Sequence, residues 1–131
     1  MRTSKVSCFR NKLTPPTEHE EQAQFVRMVE AAYPPDVAAL LFAVPNGAYK
    51  SKFGGVKFKS EGLRSGIPDL FFAYPHKGCG GLFLEMKRRR GGRLSEAQRY
   101  YIDLLRGQGY AVEVCKGCDE AFEAVSRYLG R

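Results

Sequence analysis

Asp69, Glu85 and Lys87 are the residues of this chain whose types and setting could do chemistry. Asp69 follows Ile67-Pro68 and opens an apolar run, Leu70-Phe71-Phe72-Ala73. Glu85 and Lys87 stand at the end of a second run, Leu82-Phe83-Leu84. Short apolar runs bounded by turn residues read as buried strands. Successive side chains of a strand alternate faces, so Glu85 and Lys87 share one face while Leu84 and Met86 take the other. A carboxylate and an ammonium at the end of an apolar strand are costly unless something uses them. A divalent cation bridging Asp69 and Glu85, with Lys87 beside a bound water, would use all three.

The elements around these residues must hold them together. Thr17-Glu18-His19-Glu20 fits a capping box that opens a first helix. Phe25, Val29 and Ala32 follow at helical spacing, and Tyr33-Pro34-Pro35 closes it. Carried backwards, the apolar stripe lands on Gln22, Glu21 and Glu18, so the inner face begins with acidic and amide side chains. Leu40 to Val44 reads as a short buried strand closed by Pro45-Asn46-Gly47. Residues 46–66 form a long loop with Lys50, Lys52, Lys57, Lys59 and Arg64, interleaved with Tyr49, Phe53 and Phe58. Strands at 69–74 and 81–87 flank the connection Pro75-His76-Lys77-Gly78-Cys79-Gly80. After the basic loop Arg88 to Arg93, Ser95-Glu96-Ala97-Gln98 is a second capping box. The helix it opens turns Tyr101, Leu104 and Leu105 inward and stops at Gly107 and Gly109. A strand from Tyr110 to Cys115 and a last helix from Asp119 to Leu129, with Phe122, Val125 and Leu129 inward, complete the chain. The order α, β, loop, β-hairpin, α, β, α predicts a two- or three-layer α/β domain with a small mixed sheet.

At 131 residues the chain is expected to be one domain, residues 17–131, preceded by a basic arm over residues 1–16 (Arg2, Lys5, Arg10, Lys12). Its net charge of +7 points to a polyanionic partner, nucleic acid before an anionic membrane. No apolar run reaches the roughly 18 residues of a membrane span, and the polar start does not read as a signal peptide. An intracellular location and reduced cysteines are therefore expected.

The ordered set Gly66-Ile67-Pro68-Asp69-Leu70, Glu85-Met86-Lys87, Arg93-Leu94-Ser95-Glu96-Ala97-Gln98 and Pro45-Asn46-Gly47 resembles the VRR-NUC family of the PD-(D/E)xK nuclease superfamily. Glu18-His19-Glu20-Glu21-Gln22 is similar to that family's first helix. The resemblance runs from about residue 17 to 129. It implies a restriction-endonuclease-like PD-(D/E)xK core, with a small central mixed sheet flanked by helices. It also implies metal-dependent hydrolysis of phosphodiester bonds in DNA. In size the chain resembles the small stand-alone members, many from bacteriophages. That likeness implies a homodimer that cuts branched DNA such as four-way (Holliday) junctions, in the cytoplasm of a bacterium or of an infected host.

Under this reading Mg²⁺ or Mn²⁺ is held by Asp69, Glu85 and, by analogy with the superfamily, the carbonyl of Met86. Hard oxygen donors suit such ions, which keep several of their waters. Lys87 orients the attacking water and stabilises negative charge. A third carboxylate comes from the first helix. Glu18, four residues before a glutamine, is the one the family's pattern favours, while helical geometry permits Glu21 as well. Gln98 either caps its helix or reaches the site. Lys50, Lys52, Lys57, Lys59, Arg64, Arg88, Arg89, Arg90 and Arg93 are the expected DNA contacts.

Plainer readings compete with each motif. Taken singly, Asp69 is an ordinary strand opener and Glu85–Lys87 an ordinary surface ion pair. Apolar neighbours on both strands argue against this for the two together. The basic loop is otherwise solvated charge, and the loop aromatics otherwise pack a dimer interface. Cys115-Lys116-Gly117-Cys118 invites a zinc site, but Cys8, Cys79, His19 and His76 supply no second pair at a firm spacing. His19 reads as a solvent-facing helix position. Two other functions remain open: a DNA-binding or architectural protein without catalysis, and a sequence-specific restriction-type nuclease.

Overall fold

The computed structural model describes residues 14–45 and 60–131. Four strands form one sheet in the order β1-β2-β3-β4: β1 (Leu41–Ala43), β2 (Leu70–Phe72), β3 (Leu82–Lys87) and β4 (Ala111–Lys116). β1 and β2 pair antiparallel, as do β2 and β3, whereas β3 and β4 run parallel. The sheet is therefore mixed, as expected. The two-residue turn that joins β2 to β3 places both Lys77 (φ 46°) and Gly78 (φ 82°) at positive φ. His76 and Cys79 bond each other's backbone on either side of it. Hairpin turns of the primed type require this conformation, and glycine adopts it without strain.

Helices cover both faces, which settles the layer count at three. α1 (Glu18–Ala32) and α4 (Cys118–Tyr128) lie on one face. Phe25 and Val29 of α1 and Ala121 and Val125 of α4 meet Leu70, Phe72, Leu82, Leu84 and Met86 there. α3 (Glu96–Gly107) lies on the other face, where Ile102 packs with Phe83 and Val112. All six residues of β3 are buried. Its alternation sends Leu82, Leu84 and Met86 to the α1/α4 side, and Phe83, Glu85 and Lys87 to the α3 side.

Three expectations need correction. β1 is an edge strand, and of its residues only Leu41 is buried; Phe42 is 47% exposed, edge-on to the Phe71 ring. In α3 the buried residue is Ile102, while Leu104 faces outward. Pro34-Pro35 does not simply end α1. Pro35 starts a further short helix, α2 (Pro35–Ala38), in a position where its missing N–H costs nothing.

Gly66, at the head of the Ile67-Pro68-Asp69 motif, lies against α3. A Cβ built there would come within 2.5 Å of the Ala97 carbonyl carbon, and its φ is +89°. Gly66→Ala is expected to cost about 1–3 kcal/mol, measurable as a lower urea midpoint at unchanged slope. A midpoint equal to wild type would show that this contact is slack.

Candidate active site

Strand register explains how residues distant in sequence come to face one another. Leu70 pairs with Leu84. The antiparallel ladder, continued one step, sets Asp69 opposite Glu85 on the same side of the sheet. The Met86 N–H donates to Asp69 Oδ2 at 2.8 Å. An extended residue presents its N–H and C=O along one edge, so the Met86 carbonyl leaves toward the side occupied by Asp69. Lys87 Nζ stands 3.9 Å from Glu85 Oε1. Both residues are deeply buried, Glu85 at 2% and Lys87 at 8% exposure.

Gln98 fills both roles that the sequence left open. Its side chain accepts from the Ser95 N–H at 2.8 Å, and its own N–H donates to Ser95 Oγ at 3.1 Å, a complete capping box. Its amide nitrogen then donates to Glu85 Oε1 at 2.9 Å. The second Glu85 oxygen, Oε2, is buried and has no hydrogen-bond partner among the described residues. A buried acceptor left in this state is expensive.

Electrostatics repeat the point. Burial first, then the neighbouring Asp69, pushes the Glu85 carboxyl up to about 8, against the pull of the Lys87 ammonium. Burial also raises Asp69, while the Met86 amide pulls it down. Glu18 adds to the upward push on both. Two carboxyls crowded together at such cost beside a lysine mark this place as a candidate site. Among the described residues no three His, Cys, Asp or Glu side chains form a ligand cluster by themselves. The donors that do converge are hard oxygens of the kind Mg²⁺ and Mn²⁺ take, and the orphaned Oε2 is free to bind one.

Of the two first-helix carboxylates, Glu18 is the one whose charge reaches Asp69 and Glu85. It lines an open groove of about 510 Å³ with Pro15, Pro16, Thr17, His19 and Arg88. Glu21 points elsewhere. It is 1% exposed and takes a two-pronged grip from Arg89, with Nε at 2.7 Å from Oε2 and Nη2 at 3.0 Å from Oε1. Glu21 thus spends both carboxylate oxygens on Arg89, whose side chain stays 42% exposed, and not on the Asp69–Glu85 pair. Sequence reasoning did not find this pair. The only signal was the α1 stripe running back from Val29 and Phe25 onto Glu21, which placed an acid on a buried face without naming its partner. Thr17 caps α1 as expected, its hydroxyl accepting from the Glu20 N–H at 3.1 Å. Arg64, Arg88, Arg90 and Arg93 are exposed, as is His19. Lys50, Lys52, Lys57 and Lys59, together with Tyr49, Phe53 and Phe58, lie outside the described residues.

The cysteines of the Cys115–Cys118 segment are free and buried. Burial pushes Cys115 up to about 12 and Cys118 up to about 11, which disfavours the thiolate form at both. Among the described residues, no helix is long and apolar enough to cross a membrane.

A mixed sheet between helices, with acidic residues and a lysine gathered at the ends of two antiparallel strands, defines a restriction-endonuclease-like α/β domain. The VRR-NUC domain model matches residues 15–119, and the chain belongs to that family, which implies a nuclease. A solved structure described as a VRR_NUC domain protein superposes with a TM-score of 0.77 at 24% identity, over 89% of this chain and 91% of its own. At that identity the likeness speaks for the fold alone. No curated protein matches the sequence.

Proposed function

We propose that this chain is a Mg²⁺- or Mn²⁺-dependent endodeoxyribonuclease acting on structured DNA, with the four-way junction as preferred substrate and a homodimer as the working form. The convergence of Asp69, Glu85 and Lys87 around a buried, unpartnered carboxylate oxygen carries the reading. Asp69, Glu85 and the Met86 carbonyl would hold the metal, which when bound activates water and neutralises charge on the phosphate. The Met86 N–H fixes Asp69, and Gln98 fixes Glu85, so both carboxylates are set in place before substrate arrives. Lys87, on the same face as Glu85, positions its ammonium to orient the attacking water and stabilise the developing negative charge. Exposed Arg88, Arg90, Arg93 and Arg64 supply phosphate contacts on the surface beside it. A junction with two equivalent strands suits two active sites related by a two-fold axis.

Labelled four-way junction, flap and linear duplex, each incubated with protein and a titration of Mg²⁺ or Mn²⁺, test the proposal. Paired nicks in the junction that need the metal are the expected result. Cutting of plain duplex at one repeated sequence would move the protein to the restriction type. Tight, salt-sensitive binding with no cleavage under any metal would leave only a DNA-binding role.

A further inference from the structure

Glu21 is buried, at 1% exposure, and both of its carboxylate oxygens accept from Arg89, whose side chain is 42% exposed. A carboxylate taken out of water needs a partner, and here the partner reaches it from the surface. Here three parts of the chain close around it. Arg89 follows Lys87 by two residues, at the exit of β3. Glu21 stands one turn beyond Glu18 on α1. The turn between β4 and α4 passes beneath at Gly117, where φ is +93° and a Cβ would lie 2.5 Å from Glu21 Oε2 and 2.9 Å from Arg89 Nε. The Gly117 N–H in turn bonds the Lys87 carbonyl at 3.2 Å. Asp119 lies 3.5 Å from Arg89 Nη2, and Cys118 Sγ accepts from the same nitrogen at 3.5 Å.

We infer that Glu21 and Arg89 are positioning residues: their two-pronged pair locks α1 against the end of β3 and so keeps Glu18 and Lys87 in place around Asp69 and Glu85. The effect on cleavage rests on the nuclease reading above; the effect on the two segments does not. A guanidinium fork sets angle as well as distance, which one ammonium cannot do. Rotation of α1 about its axis would carry Glu18 away from the carboxylates, and the fork on the neighbouring turn prevents that rotation. Arg89 is exposed, as Arg88 and Arg90 are, but Glu21 and Asp119 beside it offset its charge.

The test uses Arg89→Ala, Arg89→Lys, Glu21→Gln and the apolar double variant Glu21→Met/Arg89→Met, which keeps a folded protein available if the single changes unfold. In metal-free protein, amide hydrogen exchange is followed over residues 17–22 and 86–93. Both segments are expected to lose protection together in Arg89→Ala and Glu21→Gln. At saturating protein and Mg²⁺, single-turnover cleavage is expected to fall about 10- to 100-fold, with junction Kd changed by less than about threefold and an unchanged salt slope. Arg89→Lys should recover part of the rate, and the double variant should fold yet cleave slowly. Two results would overturn the inference. One is an unchanged rate with weaker binding and a salt slope lower by about one phosphate, which would make Arg89 a DNA contact. The other is a folded double variant with wild-type rate and protection. If the wild-type protein cuts no DNA at all, the nuclease reading fails, and the exchange data alone decide whether the pair locks the two segments.

Discussion

Asp69→Asn is expected to lower metal-dependent cleavage of a junction by about 10³-fold or more, while leaving the protein folded and bound to DNA. Asparagine keeps the shape and can still accept from the Met86 N–H, so the fold loses little. What goes is a negative charge at the point where a divalent cation would sit, and with it part of the transition-state stabilisation that charges arranged in advance supply. Lys87→Ala should lower the rate by about 10²-fold or more on the same argument, since its ammonium stands 3.9 Å from Glu85 on the buried face. Single-turnover rates at saturating protein separate this loss from weaker binding. Persistent wild-type cutting in both variants would remove these residues from catalysis.

Glu85→Gln is expected to do the opposite to stability: the metal-free variant should melt higher than wild type at pH 7 and above, although it cuts no DNA. The Glu85 carboxyl rises from its ordinary 4.5 to about 8 in the folded protein. Between those values the folded state holds more protons than the unfolded one, so metal-free stability falls as pH rises from 4.5 to 8 and levels off beyond. At about 1.4 kcal/mol per tenfold change in proton affinity, the accumulated loss is a few kcal/mol. Glutamine carries no charge to desolvate. Its Oε1 can still accept from Gln98, and its nitrogen replaces the orphaned Oε2 with a donor that can face Asp69. Melting curves from pH 5 to pH 9 should therefore fall steeply for wild type and less for Glu85→Gln, converging at the acid end. Mn²⁺ should raise the wild-type midpoint at pH 8 and barely move that of the variant. A variant that melts lower than wild type across the whole range would show that Glu85 is not held at such cost.

Local pattern carried the centre of this molecule into view, and non-local packing hid the rest. The alternation along Leu82 to Lys87 is a property of any strand, so the shared face of Glu85 and Lys87 could be read directly. The box at Ser95 and Gln98 is likewise local, although its second bond, from Gln98 to Glu85, depends on where α3 docks. Leu41 to Ala43 looked interior because apolar residues cluster there; its place at the sheet edge is decided by how many strands follow and in what order. On α3, Tyr101, Ile102, Leu104 and Leu105 offer overlapping stripes, and the close approach of Ala97 to Gly66 helps choose the one that turns Ile102 inward. Glu21 and Arg89 lie far apart in sequence with no shared period, so nothing short of the folded chain pairs them.

Because β3 spends one face on the hydrophobic core and the other on its charged side chains, a single inserted or deleted residue within it would exchange the two sets, burying acid and lysine against leucines and turning methionine toward the substrate. Descendants of this gene could not drift to an inactive form by a frame-preserving slip in that strand and still fold. Loss of activity has an easier route at Asp69, just before β2, where a point change spares the ladder. Inactive relatives, where they arise, should accordingly differ by single side chains and keep the length of this strand.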